Sequence, residues 1–111
     1  MSVASTDALI VLTNMPNKES ATALARGLVE KRLAACVNVL GEISSVYRWE
    51  GRVATESEVA VLIKTQEALY GRVEAAIVAV HPYELPEIVA VPVLRGLPAY
   101  LQWVVAETTP P

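Results

Sequence analysis

One stretch constrains the fold of this chain more than any other: residues 36–65, "CVNVLGEISSVYRWEGRVATESEVAVLIKT". Apolar or aromatic side chains occupy alternate positions on both sides of "WEGR", which is the period-2 pattern of half-buried strands. Gly51 supplies the turn between them. The alternating apolar positions are Val37, Val39, Ile43, Tyr47 and Trp49 before the turn, and Val53, Val59, Val61 and Ile63 after it. The pattern predicts one long β-hairpin.

The length of this hairpin has a consequence for assembly. Each arm of about 14 residues is roughly 45 Å long at the usual rise of a strand, whereas a domain of this size is only about 35 Å across. The tip must then project and expose apolar side chains and unpaired strand edges. We therefore predict that the hairpin pairs with other subunits, with Tyr47 and Trp49 as interface anchors. The alternative is a bulge near Gly41 that folds the ribbon back on itself.

Strands and helices flank the hairpin on both sides. "ALIVLT" (Ala8–Thr13) is a continuous apolar run typical of a covered strand, and Asn17 is a good N-cap for the helix after it. After the hairpin we predict a helix in "TQEALYGRVEAAIVAV" capped by Thr65 and a strand in "EIVAVPVL". A short terminal helix follows in "LPAYLQWVVAE", with Pro98 in its first turn.

The resulting order, β-α-β-β-α-β and a final helix, is the ferredoxin-like arrangement of the α+β class. Right-handed crossovers put the first and third strands in the middle of the sheet. Pro92 cannot donate a ladder hydrogen bond, so the fourth strand belongs at an edge. We predict a single domain over residues 1–111, with its core from about residue 8 to about residue 106. Residues 107–111 are expected to form a frayed tail.

The composition narrows the classes of function. The net charge is −3 and no basic run occurs, which gives nucleic-acid binding little electrostatic basis. No apolar run approaches the roughly 20 residues of a membrane helix, and Asp7 stands where a signal peptide carries basic residues. The single cysteine, Cys36, excludes an internal disulfide and suits a reducing compartment. We expect a cytoplasmic protein that binds neither nucleic acid nor membranes.

Four segments taken together resemble the CutA family of divalent-cation tolerance proteins: "KRLAACVNVLGEISSVYRWEGRV", "ESEVAVLIKT", "HPYELPEIVAVPV" and "YLQWV". The resemblance extends from about Ile10 to Val104. It implies a homotrimer of ferredoxin-like subunits whose long hairpins pair between neighbours, in an assembly similar to that of the PII signalling proteins. It also implies binding of copper and other divalent cations in a sensing or tolerance role, with no established reaction.

The loop "HPYELPEI" (His81–Ile88) contains the candidate metal ligands. The imidazole of His81 and the carboxylates of Glu84 and Glu87 suit copper(II) or zinc. The alternative is a stiff connection in which His81 closes a helix and two prolines fix the chain. In the family, the resemblance implies copper ligands at a cysteine ending the first strand and at a histidine pair. Thr13 and Val80 take two of these positions, so we predict weak metal binding.

A second group of residues suggests a cleft that binds a small molecule or anion. Lys64 is predicted to stand just before a helix N-terminus, where a cation favours anion binding, although it could equally be a lysine at the rim of the sheet. Glu58 lies on the same strand parity as Lys64 and could pair with it or offer a metal an oxygen. Cys36 is either a small buried hydrophobe or a residue of this ligand cleft, and its use as a nucleophile would need a lowered pKa. The resemblance implies that Lys64, His81 and Tyr83 project into a cleft between subunits.

Two functional classes therefore remain open. The first is a trimeric protein that binds or senses divalent metal ions. The second is a small-molecule or anion binder, or an enzyme, that uses the cleft between subunits. The sequence contains no Ser-His-Asp, Cys-His or phosphate-loop constellation, so we expect no enzyme.

Overall fold

The structure is a computed structural model that describes residues 6–110, and its elements follow the predicted order. The strands are β1 (Ala8–Met15), β2 (Cys36–Trp49), β3 (Arg52–Gln66) and β4 (Ile88–Pro92). The helices are α1 (Lys18–Glu30), α2 (Tyr70–Val80) and α3 (Pro98–Glu107), and a single 3₁₀ turn (Glu67–Leu69) precedes α2. The prediction of a ferredoxin-like α+β fold is confirmed.

The four strands form one antiparallel sheet in the order β2-β3-β1-β4. β1 and β3 are central, and β4 with Pro92 lies at an edge, as predicted. The helices α1 and α2 pack on one face of this sheet. The core between them is built from Val11 and Met15 of β1, Val59, Val61 and Ile63 of β3, Leu24 and Leu28 of α1, and Val73 and Ile77 of α2.

The hairpin projects from the rest of the subunit. Its turn is the two-residue loop Glu50–Gly51, flanked by the pair Trp49 and Arg52. A register shift between Val39 and Glu42 marks a β-bulge, but β2 remains paired with β3 up to the turn. The radius of gyration is 15.0 Å and the longest dimension 46 Å, against about 13 Å for the radius of a compact chain of this length. The bulge therefore does not fold the ribbon back.

The polar ends of α1 are satisfied within the chain. Asn17 is its N-cap, as predicted, since the Asn17 Oδ1 accepts a 2.8 Å hydrogen bond from the Ser20 amide. Beyond its C-terminus Arg32 adopts a left-handed conformation with φ 58°. The Arg32 guanidinium donates to the carbonyls of Glu107 and Thr109 at 3.3 and 3.4 Å. This contact holds the start of the α1–β2 connection against the end of α3.

Thr65 does not cap the second helix, so that prediction is wrong. Ala8 and Leu9 of β1 pair with Gln66 and Thr65, which keeps β3 extended past the expected boundary. The Thr65 side chain is fully buried, and its Oγ1 donates a 2.7 Å hydrogen bond to the Leu33 carbonyl. The helix α2 begins only at Tyr70.

The end of the chain is more ordered than predicted. Thr108 is buried, and its Oγ1 accepts from Gln66 Nε2 at 2.7 Å and donates to the Val104 carbonyl at 2.8 Å. The prediction of a frayed tail that begins at residue 107 is therefore wrong at Thr108. Pro111 lies outside the described residues. Within residues 6–110, every helix is too short or too polar to cross a bilayer.

Candidate functional site

The candidate site lies where β1 ends. Met15, the last residue of β1, pairs with Val59, so Glu58 is the first residue of β3 beyond that end. The loop between α2 and β4 crosses the same place. The His81 Nε2 lies 2.7 Å from the Asn14 carbonyl oxygen, and the Asn14 Nδ2 donates to Glu87 Oε1 at 3.2 Å. Both ends of this loop are thereby attached to the end of β1.

Both ring nitrogens of His81 are engaged by the backbone. A carbonyl oxygen only accepts, so Nε2 carries the proton in its contact with Asn14. Nδ1 then accepts from the Tyr83 amide at 3.2 Å. The His81 amide also closes α2 by donating to the Ile77 carbonyl at 2.9 Å. In this conformation neither ring nitrogen has a free lone pair to offer a metal ion.

Five residues form what we call the acidic–aromatic cluster: Tyr47, Glu56, Glu58, His81 and Tyr83. The Tyr83 ring packs on the His81 ring with centroids 4.6 Å apart. The Tyr83 hydroxyl lies close enough to Glu58, Glu56 and Tyr47 for these groups to act on it electrostatically. The charges of Glu56 and Glu58 also act electrostatically on the Tyr47 hydroxyl. The cluster thus joins β2, β3 and the loop.

The cluster is strongly negative and partly withdrawn from water. Glu58 is only 7% exposed, and none of the residues 6–110 places a basic nitrogen within 4 Å of its carboxylate. The loss of solvent, followed by the charge of Glu58, raises the pKa of Tyr83. The pKa of Tyr47 is raised by loss of solvent and then by the charges of Glu56 and Glu58. Both phenols are therefore protonated donors at neutral pH.

Lys64 and Cys36 lie apart from this cluster. Because α2 begins at Tyr70, the prediction that Lys64 stands directly before a helix N-terminus is wrong. The Lys64 ammonium instead donates to Asn38 Oδ1 across the hairpin. Six residues of strand separate Lys64 from Glu58, roughly 20 Å, so these two side chains do not pair. Cys36 is half-buried opposite Lys64 and lies near the Tyr100 hydroxyl.

The loop carboxylates do not form a metal centre within one subunit. Glu84 is exposed, and Glu87 is bonded to Asn14. In the described part of the chain, no three side chains of His, Cys, Asp or Glu are arranged to hold a metal ion. Thr13, at the position where the resemblance implies a cysteine ligand, is buried in the core with an unpaired Oγ1. The set His81, Glu84 and Glu87 remains a prediction.

Part of this cluster was not anticipated as a site. The prediction for Tyr47 was an interface anchor, and Glu56 was not singled out. Their proximity follows from the turn at Gly51, because a two-residue loop pairs Tyr47 with Ala54 and so places it on the face of Glu56 and Glu58. No local sequence pattern of this kind predicts that Tyr83 lies close to Glu58.

The fold and the site together define the class of protein. It is a ferredoxin-like α+β chain with an overlong hairpin and an acidic–aromatic cluster beside that hairpin. The family model for the CutA1 divalent ion tolerance protein matches residues 9–107, and the chain belongs to this family. It is 43% identical over 94 residues to the divalent-cation tolerance protein CutA of Thermus thermophilus, covering 85% of this chain and 91% of that protein.

Two further relatives agree with this assignment. The crystal structure of CutA from Xylella fastidiosa superposes with a TM-score of 0.91 at 40% identity, over 94% of this chain and all of that one. Protein CutA of Mus musculus is 48% identical over 89 residues, which is 80% of this chain. The chain spans 50% of the length of that mouse relative and of the human one.

The names of other relatives correct the predicted location. One plant relative, from Arabidopsis thaliana, is named a chloroplastic CutA, and a structure from Archaeoglobus fulgidus is named a periplasmic divalent cation tolerance protein. These names contradict the cytoplasmic assignment. A single cysteine does not fix the compartment, because a free thiol that is half-buried against a tyrosine is compatible with several.

Proposed function

We propose that this chain acts in tolerance to divalent cations as a homotrimer that binds copper(II) or zinc weakly. The observation that supports this most is its membership of the CutA1 divalent ion tolerance family, which rests on residues 9–107. The relative from Thermus thermophilus, similar over 91% of its own length, is named for divalent-cation tolerance.

The proposed ligands are His81, Glu84 and Glu87 of the loop between α2 and β4. A metal at His81 must compete with the Tyr83 amide for Nδ1, and at Glu87 with the Asn14 side chain. Each competing hydrogen bond must be broken before the metal binds, which makes binding less favourable. Water and oxygen ligands complete the coordination. We therefore expect a dissociation constant of micromolar order or weaker, at most about 8 kcal/mol of binding free energy.

Calorimetric titration of untagged protein with zinc and with copper(II) tests this assignment. His81→Ala should remove most of the binding heat, whereas Cys36→Ser, about 15 Å or more along the sheet from the loop, should leave it unchanged. Binding should weaken as the pH falls, since metal ligands must be deprotonated. Nanomolar affinity that survives His81→Ala would show that the site lies elsewhere.

The trimer is supported by apolar surface that a single subunit leaves open. On the hairpin, Val46 and Val53 are 67% and 65% exposed, and Trp49 is exposed too. On the edge strand β4, Val89 and Val91 are exposed on the sheet face opposite α1 and α2. These are two separate groups of exposed apolar side chains, of the kind that marks an interaction surface. In the proposed trimer, pairing between hairpins would cover the first group, and contact with β4 of a neighbouring subunit would cover the second.

A further inference from the structure

His81 is held by the chain through its backbone and through both ring nitrogens. Its amide donates to the Ile77 carbonyl at 2.9 Å and closes α2. On one side of the ring the Asn14 carbonyl oxygen lies 2.7 Å from Nε2, and on the other side the Tyr83 amide lies 3.2 Å from Nδ1. These contacts fix where the imidazole lies and which of its nitrogens faces which part of the fold.

The two ring nitrogens differ in what they can bind. Nε2 faces the end of β1 and carries the proton, because a carbonyl oxygen only accepts. Nδ1 carries the lone pair and faces the backbone of the loop, at the residue before the exposed Glu84. A neutral imidazole binds a metal ion through its unprotonated nitrogen. In this tautomer, only Nδ1 can therefore become a ligand.

The two ring contacts also differ in how easily they are broken. Asn14 lies within β1, where it pairs with Ala60 of β3, whereas Tyr83 is exposed in the loop. The longer hydrogen bond, from the exposed amide, can be exchanged for one to water at little cost. Histidines that bind metal ions commonly donate their other ring N–H to a backbone carbonyl, which fixes the tautomer and the ring orientation. The contact with Asn14 is of this kind and can persist, while the contact with Tyr83 must open.

We propose that Nδ1 of His81 is the metal-binding atom, that the Asn14 carbonyl holds the ring in the required tautomer, and that the Tyr83 amide closes the site when no metal is bound. This inference rests on the proposed function, since it requires His81 to be a ligand. It adds the ligand atom, the group that positions it and the contact that opens. The rings of Tyr83 and His81 pack with centroids 4.6 Å apart, so opening should disturb this ring contact too.

Nitrogen NMR of the imidazole tests the assignment directly, because His81 is the only histidine of the chain. Untagged protein labelled with ¹⁵N-histidine and ¹⁵N-tyrosine is titrated with zinc at a pH where the imidazole is neutral. Without zinc, we expect a proton on Nε2 and none on Nδ1. With zinc, the Nδ1 resonance should move to the metal-bound range and Nε2 should keep its proton. The Tyr83 amide resonance should shift at the same zinc concentrations.

The possible outcomes separate this inference from the proposed function. A proton on Nδ1 in the metal-free protein, or zinc bound at Nε2, would overturn the inference and leave His81 as a ligand. Zinc bound at Nδ1 without a shift of the Tyr83 amide would overturn the closing role of that amide. Unchanged resonances of both nitrogens at zinc concentrations far above the micromolar order would overturn the inference and the proposed ligand set together.

Two substitutions at Tyr83 test the amide in a second way. Tyr83→Pro removes the amide donor, so zinc should bind about fivefold more tightly, the effect of one competing hydrogen bond lost. Tyr83→Ala removes the ring but keeps the amide, and should not give this gain. Calorimetry measures both variants. An equal gain in the two, or no gain in a folded Tyr83→Pro, would overturn the role of the amide. If Tyr83→Pro does not fold, the spectra of the wild-type protein decide.

Discussion

At the scale of single residues, two buried threonines on neighbouring strands differ in one property. Thr65 is fully buried and donates its hydroxyl to the Leu33 carbonyl at 2.7 Å. Thr13 is equally buried, but its Oγ1 has no partner among the described residues. A buried hydroxyl without a hydrogen bond lowers stability, and one with a partner offsets its desolvation. The pair therefore separates the energy of the hydrogen bond from that of burial.

We predict opposite effects of threonine-to-valine substitutions at these two positions. Thr65→Val leaves the Leu33 carbonyl unsatisfied and should cost about 1–3 kcal/mol. Thr13→Val removes an unpaired hydroxyl and should be neutral or stabilise by about 1 kcal/mol. Urea unfolding of the two variants, compared through their midpoints at equal slope, measures both. Equal losses at the two sites would contradict the assignment of Thr13 as unpaired.

We predict that the stability of the protein depends on pH in the alkaline range, through the ionisation of Tyr83. Burial and then Glu58 raise the pKa of Tyr83 above the ordinary value of 10.0. Its contribution to stability is thus complete below pH 10.0 and is lost as the pH rises through the folded-state pKa. Absorbance titration at alkaline pH should show tyrosine ionisation later in folded than in unfolded protein. Glu58→Gln should lower the pKa of Tyr83, and an unchanged titration would argue against an influence of Glu58 on this hydroxyl.

At the scale of elements, the hairpin turn departs from its best sequence. Glu50 and Gly51 have φ angles of 48° and 79°, the two positive values of a type I′ turn. Gly51 adopts this conformation without steric cost, whereas glutamate does not. The hairpin therefore folds with a small local strain at Glu50.

Replacing Glu50 by asparagine should relieve this strain. Asparagine tolerates the left-handed region and is favoured before glycine in such turns, so Glu50→Asn should stabilise the protein by a few tenths to about 1 kcal/mol. Thermal unfolding measures the gain. Glu50→Ala removes the same charge without the tolerance for positive φ and should show no gain. Equal effects of the two substitutions would assign the change to charge instead of to backbone conformation.

The hairpin, the central strands and the edge position of β4 could be predicted from the sequence. The alternation of apolar side chains and the position of Pro92 are properties of short segments, so each can be recognised without knowing the rest of the fold. The start of α2 was not, since pairing of Ala8 and Leu9 with β3 overrides the capping tendency of Thr65. The sequence leaves two roles open for His81, and only the contacts with Asn14 and Tyr83 show that both ring nitrogens are used within the chain. The meeting of Tyr83 with Glu58 depends on where β1 stops relative to β3, which no single segment encodes.

At the scale of the whole molecule, the projecting hairpin is the element through which the proposed assembly would form. We predict that Trp49→Ala weakens association more than it changes the subunit. Trp49 is 38% exposed at the tip, away from the core, so its loss removes interface area and leaves the core packing intact. Light scattering over a dilution series measures association, and circular dichroism checks the fold. Val78→Ala, which removes an exposed apolar side chain on α2, is the control and should not affect assembly.

The central claim is that this chain works as a trimer that binds divalent cations weakly through the loop of His81. Native mass spectrometry of untagged protein, with zinc added stepwise, tests both parts in one measurement. The account predicts ions of three chains of 11.9 kDa each, with zinc adducts that appear at micromolar zinc and are largely absent in His81→Ala. Ions of a single chain, or zinc adducts that persist in His81→Ala, would contradict it.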